Sequence, residues 1–185
     1  MDPFESFIQD FGALLESNPS EQVILDRGAG LLGALVQDDR WLPSSFAVAD
    51  VERYRQYLLH LDPRKRFSVV SFVWGPGQQT PVHDHTVWGL IGMLRGAEME
   101  QHYVRLPDGS LLPDGEPQRL ETGQVDKVSP RIGDLHRVSN AFADRTSISI
   151  HVYEGDIGAV ERSTYGADGT PQHFVSGYSN VENVN

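Results

Sequence analysis

From Phe67 onward the chain is cut into short β-branched and aromatic runs by closely spaced turn signals, and this punctuation limits the fold more than any other feature. The run RFSVVSFVW is followed by the stops GPG, PDG, PDGEP and ADG, none of which a long helix would tolerate. Strands are expected at 79–83, 87–95, 97–105, 124–128, 134–139 and 145–153, with a late hairpin of 160–165 and 172–175. Many short strands of this kind close into a small antiparallel barrel or a double-sheet jelly roll.

The first sixty residues read differently. Phe4, Phe7, Ile8, Phe11, Leu14 and Leu15 recur every three or four residues and form one apolar helix face. The break SNPS follows, and Ser20 is placed to cap a second helix ending near Gln37. A third short helix is expected after Asp50, carrying Tyr54, Tyr57 and Leu58 towards the core. The expected fold is therefore all-β dominated and occupies one domain over 1–185: a helical cap at 1–60, a β-barrel at 66–175 and a polar, loose tail at 176–185.

Composition narrows the function classes. The chain has 185 residues and a formal net charge of −11, which repels phosphate backbones and anionic membrane surfaces and argues against nucleic acid as a partner. No apolar run is long enough to span a bilayer, and the acidic start MDPFESFIQD lacks the basic region of a signal peptide. A cytoplasmic protein is expected. Cysteine is absent, so disulfides and thiolate ligands are excluded and metal ligation falls to histidine and carboxylates.

The stretch GQQTPVHDHTVWGLIGMLRG, Gly77 to Gly96, carries the chemistry. On a strand, residues two apart share a face, so His83 and His85 can aim at one point while Asp84 turns away. The spacing is Gly77, five residues, His83-x-His85, three residues, Gly89, six residues and Gly96. Downstream, SPRIGDLHRVSN supplies Pro130, Gly133, His136 and Asn140. These two stretches resemble the paired motifs of the cupin superfamily, with two departures. Gly89 stands where the first motif has glutamate, and one extra residue separates Pro130 from Gly133.

The resemblance implies a barrel whose interior holds a metal on His83, His85 and His136. On ligand chemistry alone zinc with an open fourth position competes with iron, and a cupin that has lost its metal is the other alternative.

SISIHVY places Ser149, His151 and Tyr153 on one strand face by the same period of two, close enough for a hydrogen-bonded relay. No G-x-S-x-G elbow accompanies them, which argues against a serine hydrolase. Three-histidine ligands followed by S-x-H-x-Y resemble the thiol dioxygenases, the family of cysteine dioxygenase, and the likeness extends upstream through YRQYLLHLDPRKRFSVVSFVWGPG.

That resemblance implies one Fe(II) per chain, binding of a small thiol and O2, and a sulfinic acid product. Tyr153 would be the pocket phenol, oriented through His151 and Ser149. Mammalian members carry an arginine where Gln56 falls and a cysteine, cross-linked to the pocket tyrosine, where Gly89 falls. With no cysteine in the chain, that cross-link is impossible.

Glutamine at position 56 resembles the bacterial branch that prefers 3-mercaptopropionate, in which an arginine after the S-x-H-x-Y strand holds the carboxylate. Arg162 occupies the matching place. The expected substrate is 3-mercaptopropionate, with cysteine as the alternative. The other readings are a metal-binding or sensing cupin without turnover, a cupin isomerase and a zinc hydrolase. The sequence sets no oligomeric state.

Overall fold

The computed structural model describes residues 2–181. Helix α1 spans Pro3–Glu16 and α2 spans Glu21–Leu35. The Asp2 side chain caps α1 by accepting from the backbone N–H of Phe4 at 2.8 Å, and Ser20 caps α2 through Val23. Phe7, Phe11 and Leu14 of α1 and Ile24, Leu25, Leu32 and Leu35 of α2 are buried, as the three- and four-residue spacing predicts. Gly28 permits a close approach of α2 to the sheet: a Cβ there would stand 2.8 Å from both Leu90 Cδ1 and Phe11 Cε2.

Twelve strands follow: β1 Arg55–Leu61, β2 Phe67–Trp74, β3 Val82–His83, β4 Gly89–Arg95, β5 Ala97–Arg105, β6 Leu111–Pro113, β7 Gln118–Glu121, β8 Val125–Val128, β9 His136–Asn140, β10 Ser147–Glu154, β11 Arg162–Tyr165 and β12 Pro171–Phe174. One sheet has the order β1-β2-β10-β4-β8; the other runs β12-β11-β3-β9-β5-β6, with β7 paired to β5. All the strand pairings are antiparallel.

The central strands of the first sheet are buried on both faces, and the period of two divides their labour. Phe67, Val69 and Val73 of β2, with Ile148, Ile150 and Val152 of β10, pack towards the helices in one apolar cluster. The alternate residues Val70, Phe72, Trp74 and Tyr153 belong to a second cluster inside the barrel. The helices thus cover the outer face of this sheet and leave its inner face for chemistry.

Four expectations need correction. There is no third helix after Asp50: residues 55–61 form β1, a strand paired along β2. Tyr57 and Leu59 pack on the helix-side cluster two residues apart, and the exposed edge of β2 supplies the backbone partners that a short isolated helix would have to find for itself.

The strand expected at 79–83 contracts to Val82–His83, and two short strands, β6 and β7, form between and after the turn signals PDG and PDGEP, where no strand was expected. The tail is also not loose where it is described. Ser179 N–H donates to the Gln56 carbonyl at 2.8 Å and the Gln56 N–H donates to Ser179 Oγ at 2.9 Å. Asn180 bonds both the N–H and the C=O of Leu58. The segment 176–181 is strapped along β1 in this way, and residues 182–185 lie outside the described part.

Candidate metal centre

His83 ends β3 and is the register partner of His136, the first residue of β9. His85 follows after Asp84, just before Thr86 turns the chain with φ at +61°. The three imidazole centroids stand 4.9, 4.8 and 4.8 Å apart, and one ring nitrogen from each lies within 4.8 Å of the other two.

Asp84 turns away, as strand alternation predicts. Its carboxylate accepts from the Ser163 N–H at 2.8 Å and the Tyr165 hydroxyl at 2.6 Å.

The outward nitrogens of His83 and His85 are already committed. His83 Nδ1–H donates to the Pro81 carbonyl at 3.1 Å, and His85 Nδ1–H donates to Asp134 Oδ1 at 2.8 Å. Asp134 also accepts from the backbone N–H groups of His85 and Thr86, so one carboxylate fixes both ring and turn. Nε2 of each ring is left free, which is the arrangement that outer carboxylate and carbonyl partners give a metal-binding histidine.

Burial, reinforced by the neighbouring imidazoles, pushes the His83 pKa down to about 3 and that of His136 well below its ordinary value. Neutral imidazole is the form that binds a metal. His136 Nδ1 is moreover buried with no hydrogen-bond partner. Three converging imidazoles of this kind fit a divalent transition metal.

Beside the triad, Ser149 Oγ lies 2.8 Å from His151 Nε2, and His151 Nδ1 lies 2.8 Å from the Tyr153 hydroxyl. The Trp74 indole N–H donates to Ser149 Oγ at 3.2 Å. Indole is only a donor, so the Ser149 oxygen accepts from Trp74; an arrangement that satisfies the run has Ser149 donating to Nε2 and Nδ1–H donating to the Tyr153 oxygen. The phenol proton then remains available.

Burial pushes the His151 pKa well down and that of Tyr153 up, so the imidazole is neutral and the phenol stays protonated. Phe72 stacks on His151 at 4.1 Å, and the Tyr153 ring stacks on His85 at 5.5 Å.

A cavity of about 140 Å³ opens between these groups, with His83, His136, Tyr153, Arg162 and Gln56 all in its lining. Arg162 is 5% exposed. Its Nη2 donates to Ser176 Oγ at 2.6 Å, and its guanidinium lies 4.8 Å over the Phe174 ring. Its Nε is buried without a partner, and no carboxylate among the described residues pairs with it. Burial lowers its pKa, the direction expected for a cation awaiting an anion.

Of the eight site residues expected from the sequence, Gln56, His83, His136, His151, Tyr153 and Arg162 line this cavity, while His85 and Ser149 stand behind it against Tyr153 and His151. The sequence reading missed Asp134, which a search for what holds the second histidine's other nitrogen would have found inside the second motif. It also missed Trp74, Phe174 and Ser176, which reach the site only through the fold.

Comparison with known proteins places this geometry. A double-stranded β-helix domain protein from Klebsiella pneumoniae subsp. pneumoniae superposes with a TM-score of 0.50 at 16% identity, covering 65% of this chain and 95% of its own. A cupin superfamily protein from Desulfitobacterium hafniense gives a TM-score of 0.47 at 15% identity, covering 64% of this chain and 94% of its own. The fold is a double-stranded β-helix barrel preceded by two helices.

Cysteine dioxygenase type 1 of Danio rerio is 27% identical over 111 residues, 58% of this chain and 54% of the relative. The chain therefore spans about half the length of the curated relative it matches. The cysteine dioxygenase type I family itself matches residues 25–163, which contain the histidine triad, the Ser149–His151–Tyr153 relay and both cavity residues Gln56 and Arg162. The chain belongs to the cysteine dioxygenase type I family.

Proposed function

We propose that the protein is an Fe(II)-dependent thiol dioxygenase that converts 3-mercaptopropionate to 3-sulfinopropionate. The observation that carries this reading is Arg162, a buried guanidinium without a carboxylate partner that lines the same small cavity as the histidine triad. Leaving such a charge unpaired is costly, and a substrate carboxylate relieves the cost.

Fe(II) on His83, His85 and His136 would supply open positions for a thiolate and O2. The overall change is balanced without a further reductant: the S–H compound and one O2 give the sulfinic acid, with both oxygen atoms on sulfur. Three neutral imidazoles leave the metal its full positive charge for the thiolate, and Gly89 adds no carboxylate to compete.

The protein's own groups bind and orient the substrate. Arg162 offers a planar pair of donors to the substrate carboxylate, and Gln56, in the same lining, offers a neutral amide. Tyr153 presents a protonated phenol, held by His151 and Ser149, to the reacting end. Phe72, Trp74, Val138 and Phe174 keep the cavity apolar between these anchors. Its volume is below the roughly 300–1,000 Å³ typical of drug-sized ligands, in keeping with a short thiol.

Cysteine is the second reading, favoured by the printed name of the Danio rerio relative. The cavity lining contains neither Asp nor Glu among the described residues, so an α-ammonium group would meet only neutral acceptors such as the Gln56 amide oxygen. This favours the amine-free thiol.

The test is O2 uptake by the Fe(II)-loaded protein with 3-mercaptopropionate, cysteine and cysteamine in parallel. The expected order puts 3-mercaptopropionate first, and Arg162→Ala should cost about ten- to a hundredfold in kcat/KM for it while sparing cysteamine, which has no carboxylate. Equal losses for both thiols would make Arg162 structural. No uptake with any thiol would favour a metal-binding protein without turnover.

A further inference from the structure

Beyond the histidine triad, the barrel holds another cluster of ligand-type side chains. The inward row of β5 is Glu98, Glu100 and His102, in register with Asn140, Val138 and His136 of β9. Asp126 stands on β8, the edge strand of the other sheet. Ligand atoms of Glu100, His102 and Asp126 lie within 4.8 Å of one another. The cluster therefore bridges the seam where β8 of one sheet faces β5 of the other. No β-ladder joins these two strands.

We propose that Glu100, His102 and Asp126 form a second divalent-cation site, separate from the histidine triad and suited to zinc. Two carboxylates and one imidazole are a donor set that zinc accepts, leaving a further position for water.

Independent support comes from what the cluster lacks. Glu100 is 3% exposed and, among the described residues, its Oε1 has no hydrogen-bond partner; Asp126 Oδ2 is likewise buried and unpartnered among them. No lysine or arginine pairs with either carboxylate among the described residues. Their nearest cationic candidate is His102, whose Nε2 lies 3.9 Å from both Glu100 Oε2 and Asp126 Oδ2. That is too long for a hydrogen bond.

Two acids turned on each other in a buried seam repel unless a proton or a metal sits between them.

Access is provided for. The side chains of His102 and Asp126 are 28% and 30% exposed, so an ion can enter from solvent while Glu100 anchors it from inside. The His102 ring stands 5.8 Å from that of His136, which places the second site next to the triad without sharing a ligand. By joining β5 to β8, the ion would tie the two sheets together at a seam that lacks backbone hydrogen bonds.

The test is zinc stoichiometry by elemental analysis after chelator stripping, zinc reloading and removal of excess metal, with thermal unfolding measured alongside. Wild type is expected to hold two equivalents. The double variant Glu100→Gln with Asp126→Asn should hold one and lose part of the zinc-dependent rise in Tm. His83→Ala with His136→Ala should also hold one, at the remaining site.

If the double variant does not fold, Asp126→Asn alone, at the more exposed ligand, gives the same reading. One equivalent in wild type that survives Asp126→Asn, or two equivalents in the folded double variant, would overturn the proposal. One equivalent in wild type lost on changing Asp126 would support this site and overturn the triad as a zinc-binding centre.

Discussion

Gly89 and Tyr153 are direct partners across β4 and β10, and the Tyr153 ring fills the space where a side chain at position 89 would begin. A Cβ on Gly89 would stand 2.7 Å from both Cδ1 and Cε1 of that ring and 3.0 Å from Val128. The missing carboxylate of the first motif is thus more than an absent ligand. It is the condition for the phenol to sit against the histidine triad.

Gly89→Ala should therefore displace Tyr153 rather than be absorbed. Overpacking of this kind costs about 1–3 kcal/mol, and here it would also move the phenol away from the cavity. The expected result is a lower Tm and reduced kcat with metal content unchanged. Wild-type kcat in Gly89→Ala would show that the phenol's position is not critical.

Tyr153→Phe separates the hydroxyl from the ring. The ring still packs against Gly89 and His85, so the fold and metal content should survive. Loss of the hydrogen bond should lower kcat by at least about tenfold. Unchanged kcat with every thiol would reduce the Ser149–His151–Tyr153 run to buried strand packing.

Asp134 holds His85 by its ring nitrogen and by the backbone of the turn that follows. Asp134→Asn keeps the size but changes what the ring nitrogen meets. Losses of about 10–100-fold in metal affinity follow from changes to such outer partners. Competition with a chelator measures this directly, and wild-type affinity would mean that His85 is oriented by the fold alone.

The loop joining β1 to β2 predicts a pH dependence. Asp62 accepts from the Arg66 guanidinium at 2.7 and 3.0 Å and from the backbone N–H groups of Arg64 and Arg66. The Arg66 side chain foremost, then the backbone donors, hold its carboxyl well below the ordinary 3.8. The unfolded chain takes up the proton first as pH falls, so the stability from Asp62 is whole above the ordinary value and drains away below it. Asp62→Asn should cost about 1–3 kcal/mol near neutrality, with the gap to wild type narrowing in acid. Denaturant titrations near neutrality and below the ordinary value compare the two, and a constant gap would assign the loss to the loop's shape instead of its charge.

Much of this site was legible because histidine, serine and tyrosine at period two identify a face before they identify a fold. His83, His85, Ser149, His151 and Tyr153 are each placed by strand alternation, and His136 by motif spacing. What failed was the segment 50–61, where YRQYLLHL fits helical spacing and strand alternation alike. The neighbouring strand β2, distant in no local pattern, decides between them. The strap at 176–181 was illegible for a similar reason: Ser176, Ser179 and Asn180 look like tail residues until their hydrogen bonds to Arg162, Gln56 and Leu58 are formed. The acidic row of β5 carries no signal in the sequence beyond a strand at 97–105, because only the closed barrel buries Glu98 and Glu100.

The most direct test of the central claim is isotopic. The Fe(II)-loaded protein would be given 3-mercaptopropionate under heavy-isotope oxygen gas, and the product analysed by mass spectrometry. The account predicts 3-sulfinopropionate with both sulfinate oxygens labelled. Label in one oxygen or in neither, or oxygen consumption that yields only disulfide, would contradict it.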